Sequence, residues 1–500
     1  MQPKKLSKDI MMTLKFHNTL TGHIDEFVSQ NSGKVLLYTC GPTVYGQAHI
    51  GNWASYIYWD TLVRILMANN YEVNRVMNIT DVGHLTSDAD SGEDKLEKGA
   101  KREGKTAWEV ADYYTKDFIV GFEKLGLVNP QHLAKATDYI PDQLNLNRTL
   151  KEKGFTYQID DGIYFDTSKF STYADFAHLN LTALKAGARV EFNPQKRNHS
   201  DFALWKFTPA DSKRDMEWQT PQDLVDSSSP HLPIMGFPGW HLECSTIAMK
   251  LLGETIDIHT GGIDHIPVHH TNEIAQSEAA TGLRFCNYWM HNEFLKVDGT
   301  KISKSIGNVY NLDDLATKGY TPLEFRMFIL QGHYRSEGNF TFDGLSSAKN
   351  RLHNWRNIAV LRHQIHDTIH GDSERNQSSK TVSLYATSQA IIEAIDNDLG
   401  TPEALKIIDD AFTHLQNAKL NNINRQAFVK ILETIDYILG LQLIDSTPDI
   451  TDDAKQIIIE RNAARNQKDW TNADKLRDKL TKLGIILRDT ENETIWEYSG

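Results

Sequence analysis

Residues 34–60 read KVLLYTCGPTVYGQAHIGNWASYIYWD. The run from Val35 to Tyr38 is short, apolar and β-leaning, and it passes through Cys40 before Gly41-Pro42 breaks it. A helix is expected to start at His49-Ile50-Gly51-Asn52, with Ile57, Leu62, Ile65 and Leu66 on its apolar face. Residues 71–77 then read as a second strand. Strand, turn, helix and strand make a parallel βαβ unit. Such units place ligands at the carboxyl ends of their strands, where a helix N-terminus attracts phosphate. His49 and Asn52, three apart, share a face of the first helical turn, and Cys40 lies at the strand end beside them. The stretch therefore offers a nucleotide seat with a metal ligand at its edge.

Working outward, 500 residues provide for three or more domains with sizeable cores. Hydrophobic residues at 40% and charged residues at 24% suit a globular chain, and no run of 18 apolar residues suggests a membrane span. The first residues carry lysines, but Asp9 and Lys15 interrupt any apolar core, so no secretory signal is expected and a cytoplasmic location is. Three cysteines exclude a disulfide framework and favour ligands or buried thiols. A net charge of −13 argues against a general nucleic-acid coat, while leaving room for a local basic surface.

Along the chain the α/β pattern continues to about residue 130, with a polar, charged stretch at 87–105 expected as a mobile loop before a helix near 108–125. Residues 131–231 read as an insertion. It holds a helix at 138–153, short strands at 154–157, 162–165 and 202–206, and a Pro- and Ser-rich loop at 220–233. The α/β pattern returns with a helix after Cys244, a strand at 255–259, a Gly-rich turn at 260–264 and a helix from about His269. A further strand is expected at 287–291. Beyond Asn311 the chain reads as mostly helical to about Leu441, followed by a linker at 445–451, two more helices and a short β-like end.

Cys40, Cys244, His269 and Glu273 can be read in two ways. His269 and Glu273 are four apart on one helix face, and Cys₂His with a carboxylate is a zinc-type donor set. From spacing alone, two buried cysteines and a helix-capping His fit equally well. Cys286 lacks a motif partner and is expected in the core. Lys301-Ile302-Ser303-Lys304-Ser305 places two lysines three apart in a loop; alone it could be no more than a solvated basic loop.

The strings in order carry a resemblance. Cys-Gly-Pro-Thr-Val-Tyr followed by His-Ile-Gly-Asn resembles the cysteinyl-tRNA synthetase form of the class I aminoacyl-tRNA synthetase signature, with Asn52 where the second His is usual. Asn78-Ile79-Thr80-Asp81, Phe202-Ala203-Leu204-Trp205-Lys206, Gly239-Trp240-His241-Leu242-Glu243-Cys244 and the Lys301–Ser305 string resemble that family's segments too. Val82-Gly83-His84-Leu85-Thr86 departs from the I-D-D-K-I expected after Asp81. The resemblance implies a Rossmann-type α/β catalytic domain with an insertion, then an α-helical bundle and a small C-terminal domain. Its divisions would be 13–130 and 232–310 for the two catalytic halves, 131–231 for the insertion and 311–350 for a stem-contact region. The bundle at 351–443 would bind tRNA, and 450–500 would form an anticodon-binding module.

The implied activity is cysteine–tRNA ligation for protein synthesis, with ATP, L-cysteine and tRNA(Cys) as partners and no membrane association, in a monomer. Zn²⁺ would be held by Cys40, Cys244, His269 and Glu273, one ion per chain, with Mg²⁺ accompanying ATP. The implied catalytic residues are His49, Asn52, Lys301 and Lys304. ATP would meet His49, Gly51, Asn52, His259, Asp264 and Lys304, while cysteine would meet Gly41, Thr80 and Trp240. Arg461, Arg465 and Trp470 would contact RNA. The rival readings are a related zinc ligase that passes cysteine to an amino-sugar, which would lack or shorten the tail after Ser446, and a non-catalytic binding protein on a decayed synthetase fold.

Overall fold

A computed structural model describes residues 13–83, 85–87, 91–179, 193–209, 211–226, 233–365, 369, 381–489 and 493–499. The expectation for the run after Asp81 therefore falls partly outside the described residues, as does that for 227–232. Five parallel strands, β1 (Lys34–Thr39), β2 (Glu72–Ile79), β3 (His132–Lys135), β4 (Ile256–Gly262) and β5 (Cys286–Asn292), pair in the order β5-β4-β1-β2-β3. This is a doubly wound sheet whose order reverses between β1 and β4, the place where such sheets open a ligand crevice. Val35, Leu37 and Tyr38 of β1 are buried, as parallel strands covered on both faces require.

Helix α1 (Ile50–Ala68) carries the chain from β1 to β2, and its deeply apolar face packs into the main core. The charged stretch before residue 105 is not a loop throughout. Lys95–Glu103 forms helix α2, because Asp94 caps it through Oδ1, which accepts from the Leu96 amide at 2.7 Å, and Gly104 stops it at φ 65°. Leu96 and Ala100 are buried beneath its charged outer face, which is why composition alone suggested a loop. Helix α3 (Ala107–Lys124) follows and leads to β3.

The insertion forms a five-stranded antiparallel sheet in the order Trp218–Gln219, Met235–Pro238, Phe202–Phe207, Gly162–Phe165, Thr156–Ile159. It hands the chain back at Gly239, whose amide donates to Leu204 O at 3.0 Å, and α4 (Trp240–Leu252) leads into β4. The sequence places a turn at 260–264, yet β4 runs on to Gly262 and only Ile263–His265 turns. A π-helical turn, Ile266–His270, then precedes α5 (Thr271–Thr281).

Helices Pro322–Leu330, Phe342–Ala359, Thr381–Asp396, Thr401–Asn417 and Arg425–Leu439 build the helical part. A fully buried ionic hub fastens α1 to it. Asp60 accepts from Arg64 Nε at 2.6 Å, from Arg326 Nη2, and from the Val128 amide at 2.7 Å. The guanidinium groups also donate to the carbonyls of Leu439 at 2.6 Å, Tyr437 at 2.9 Å and Leu125 at 3.1 Å. Helices Asp452–Asn466 and Trp470–Lys482 with the hairpin Ile485–Asp489 and Thr494–Tyr498 close the chain around a small core of their own. Among the described residues, no helix is long and apolar enough to cross a membrane.

Candidate active site

The crevice between the carboxyl ends of β1 and β4 opens a cavity of about 600 Å³. At one end stand Cys40, Gly41, Thr80, Trp240, Cys244 and His269; at the other stand His49, Asn52, Lys301 and Lys304, with Asp264 also on the wall. Residues more than 200 apart in sequence thus share one chamber because the strand order reverses between them.

At the first end, Cys40 follows β1, and its amide donates to Thr260 O at 3.2 Å. Gly41 donates its amide to Asn78 Oδ1 at 2.7 Å; a Cβ there would fall 1.7 Å from Asn78 O, so no other residue fits. Thr80 Oγ1 gives its proton to Glu243 Oε1 and accepts from Asn78 Nδ2 at 3.0 Å. Burial pushes the Glu243 carboxyl well above the usual range, and the Thr80 hydrogen bond only partly opposes it. Trp240 opens α4 and stacks on His269, with ring centres 4.2 Å apart.

The donor atoms of Cys40, His269, His270 and Glu273 all lie within 4.8 Å of one another. Three of the four anticipated ligands therefore meet, and His270 joins them. Cys244 stands just outside this tightest group, its thiol hydrogen-bonded to that of Cys40. His270 was missed because Ile266–His270 is a π-helical turn, where ordinary helical spacing does not tell which side chains converge. The donor set suits a metal ion. Glu273 Oε1 lies 2.9 Å from His269 Nε2 yet accepts no well-aligned hydrogen bond, so the two atoms face a common point more than each other. The Cys244 hydrogen bond, helped by three histidines against burial, holds the Cys40 thiol well below its usual range. Burial disfavours a charged His269, but Glu273 and Cys40 outweigh it and raise the imidazole to about 10. A cluster in which Cys40 and Glu273 hold a proton on His269 offers a metal cation a place to displace it.

A second layer orients these side chains. His241 Nδ1 is 2.9 Å from His269 Nδ1, and His270 Nδ1 is 2.7 Å from His291 Nε2. His259, expected beside the nucleoside, lies behind the cavity wall instead. It is fully buried, bonded through Nε2 to Glu273 Oε2 at 2.9 Å and stacked on Trp289 at 4.5 Å.

At the other end, His49 caps α1. Its Nδ1 accepts from the amides of Gly51 at 3.1 Å and Asn52 at 3.3 Å, which leaves the proton of the neutral ring on Nε2 as a donor. Burial, and after it the Lys304 charge, lowers the His49 pKa and keeps it neutral. Asn52 completes a capping box by accepting the His49 amide on Oδ1 at 3.0 Å. Asn52→Ala is therefore expected to cost about 1 kcal/mol of stability, the usual toll of a lost cap, visible as a lowered thermal midpoint; an unaltered midpoint would show the cap idle. Ile302 comes close over Gly51, where an added Cβ would lie 3.0 Å from its Cδ1, and Lys304 Nζ lies 5.4 Å from the Tyr45 ring centre. Lys301 sits over Phe294 at 5.7 Å.

Far from the cavity, Arg461 is not available to RNA. It is 5% exposed and pairs with both oxygens of Asp489, at 2.7 and 2.6 Å. Arg465 shares Asp489 at 2.6 Å, whereas Trp470 is 58% exposed.

The fold is that of class I aminoacyl-tRNA synthetases. A Mycobacterium tuberculosis methionyl-tRNA synthetase in complex with methionyl-adenylate superposes with a TM-score of 0.56 at 15% identity, covering 88% of this chain and 96% of that one. The LeuRS–tRNA–LeuAMS ternary complex of Agrobacterium radiobacter K84 gives 0.58 at 12% identity, over 83% and 84% of the two chains. Residues 26–350 match the tRNA synthetases class I (C) catalytic domain, and residues 447–496 match the cysteinyl-tRNA ligase anticodon binding domain. A cysteine–tRNA ligase of Treponema denticola is 40% identical across 97% of this chain and 100% of its own length. A cysteine–tRNA ligase of Burkholderia lata is 40% identical across 96% of each. The chain belongs to the cysteine–tRNA ligase family.

Proposed function

We propose that the cavity activates cysteine with ATP, in a zinc-dependent way, and passes the aminoacyl group to the 3′ end of tRNA(Cys). The observation that carries this reading is the convergence, in one chamber, of a soft, anionic donor cluster with His49, Lys301 and Lys304. Cys40, Cys244, His269 and Glu273 would hold the zinc ion, with His270 beside them. The ion supplies a soft Lewis acid that prefers a thiolate to a hydroxyl, a distinction between cysteine and serine that pocket shape makes only weakly. Trp240 walls the side-chain pocket, and Thr80, having given its proton to Glu243, keeps a lone pair for the substrate ammonium. The substrate carboxylate attacks the α-phosphorus of Mg-ATP, and pyrophosphate departs with the electron pair of the broken P–O bond. His49 Nε2–H, Lys301 and Lys304 stabilise the charge gathering on the phosphate oxygens. A terminal tRNA hydroxyl then attacks the acyl carbonyl and AMP leaves.

The match of residues 447–496 to an anticodon-binding family supports tRNA, over an amino-sugar, as acceptor. Cysteine-dependent exchange of pyrophosphate into ATP tests the activation step, and charging of a tRNA(Cys) transcript tests the acceptor. Exchange without charging, together with cysteine transfer to an amino-sugar, would replace this reading by the second.

A further inference from the structure

Tyr45 carries two lysines. Lys304 Nζ lies 5.4 Å from its ring centre and Lys95 Nζ 5.6 Å, and both lysines line the cavity with Lys301 and His49. Lys95 lies outside the site residues that the resemblance implied. It opens α2, within the segment whose charged composition suggested a loop.

Its position is built from buried parts. Asp94, 3% exposed, caps α2 through Oδ1 and binds Arg214 Nη2 through Oδ2. Arg214 in turn lies 3.7 Å over the Phe237 ring. One turn on, Gly99 faces Tyr45, where an added Cβ would lie 3.5 Å from the Tyr45 carbonyl oxygen. Leu96 and Ala100 are sealed into the core. The helix is thereby fixed with its first residue toward the cavity. The order Asp-Lys-apolar expected soon after Asp81 also recurs here, as Asp94-Lys95-Leu96.

Direction of the reaction decides which part of ATP this lysine meets. Cysteine enters from the Cys40 end, so in-line displacement at the α-phosphorus sends pyrophosphate the opposite way, toward Lys304 and Tyr45. A polyphosphate entering this end of the cleft would be attracted by both ammonium groups. We propose that Lys95 is a third phosphate-binding lysine, contacting the terminal phosphates of ATP and the departing pyrophosphate. The assignment rests on the ATP reading above.

The test is cysteine-dependent pyrophosphate exchange by the full chain at varied ATP, for wild type, Lys95→Met and Lys95→Arg. Met preserves the stem packed on Tyr45 and removes the charge; Arg preserves the charge. Lys95→Met is expected to lower kcat/KM for ATP by about ten- to hundredfold with the KM for cysteine unchanged, and Lys95→Arg to recover most of the loss. Titration of inorganic tripolyphosphate into the same proteins should show binding weakened about tenfold in Lys95→Met alone. A Lys95→Met protein within twofold of wild type overturns the assignment, as does a Lys95→Arg protein equally impaired, which would mark a packing role. Wild-type protein without any exchange would instead overturn the ligase reading itself.

Discussion

Cys40→Ser is expected to lose its metal and its cysteine-dependent pyrophosphate exchange together, the rate falling by about two to three orders of magnitude or more, the scale of losing one transition-state group. Four neighbours, Cys244, His265, His269 and His270, hold the Cys40 thiol well below its usual range against burial. A serine hydroxyl keeps its proton at neutral pH, so the site would lose an anionic, soft donor at its centre. Cys286→Ser is the control. That thiol is buried, 3.3 Å from Tyr288 O, and lies outside the donor cluster, so metal content and selection should persist. Elemental analysis beside exchange assays with cysteine and serine gives both readings. A Cys40→Ser protein that retains zinc and still rejects serine would sink the metal-based account of selection.

Asp60→Ala is the change expected to injure stability most. It would strand Arg64 and Arg326 in a dry interior, a loss of about 3–5 kcal/mol. For a chain of 500 residues this corresponds to a fall of about 3–5 °C in the calorimetric midpoint. Burial alone would raise the Asp60 carboxyl, but Arg64 and Arg326 outweigh it and set the pKa at about 2. Because the folded value is depressed, the stabilisation is complete above the usual carboxylate range and is lost as pH falls from about 4 toward 2. Replacing Asp60, Arg64 and Arg326 together by apolar residues of similar volume should recover much of the deficit. An Asp60→Ala midpoint equal to wild type would show that the hub binds α1 to the helical region by packing alone.

Much of the catalytic half was legible because its signals are local. A β-leaning run ending at Gly41-Pro42 and a His followed by a helical apolar face put β1 and α1 where they stand. The same holds for the strands 162–165 and 202–207, whose apolar content is dense over few residues. What escaped depended on partners distant in sequence or on irregular backbone. Nothing local marks Arg461 as the partner of Asp489, 28 residues on, so a basic helix read as an RNA surface. His259 faced two plausible neighbours, and Glu273 claimed it. His270 was hidden by the π-helical turn. Asn52, standing where the second His is usual, closes the helix cap by accepting the His49 amide, while its own amide donates to the His49 ring. Lys95 was obscured by composition, since caps and buried Leu96, not charge count, decide that α2 is a helix.

The reversal of strand order also has a consequence for biosynthesis. Cys40 belongs to the first tenth of the chain, whereas His269 and Glu273 arrive only after the whole insertion has been made. A ribosome-bound fragment ending before β4 can hold α1 and β2, yet it has only Cys40 and Cys244 of the four proposed ligands that must meet. On the proposed zinc reading, metal loading would be a late event that certifies a finished catalytic half, and stalled or truncated products would be left metal-free and open to quality-control proteases.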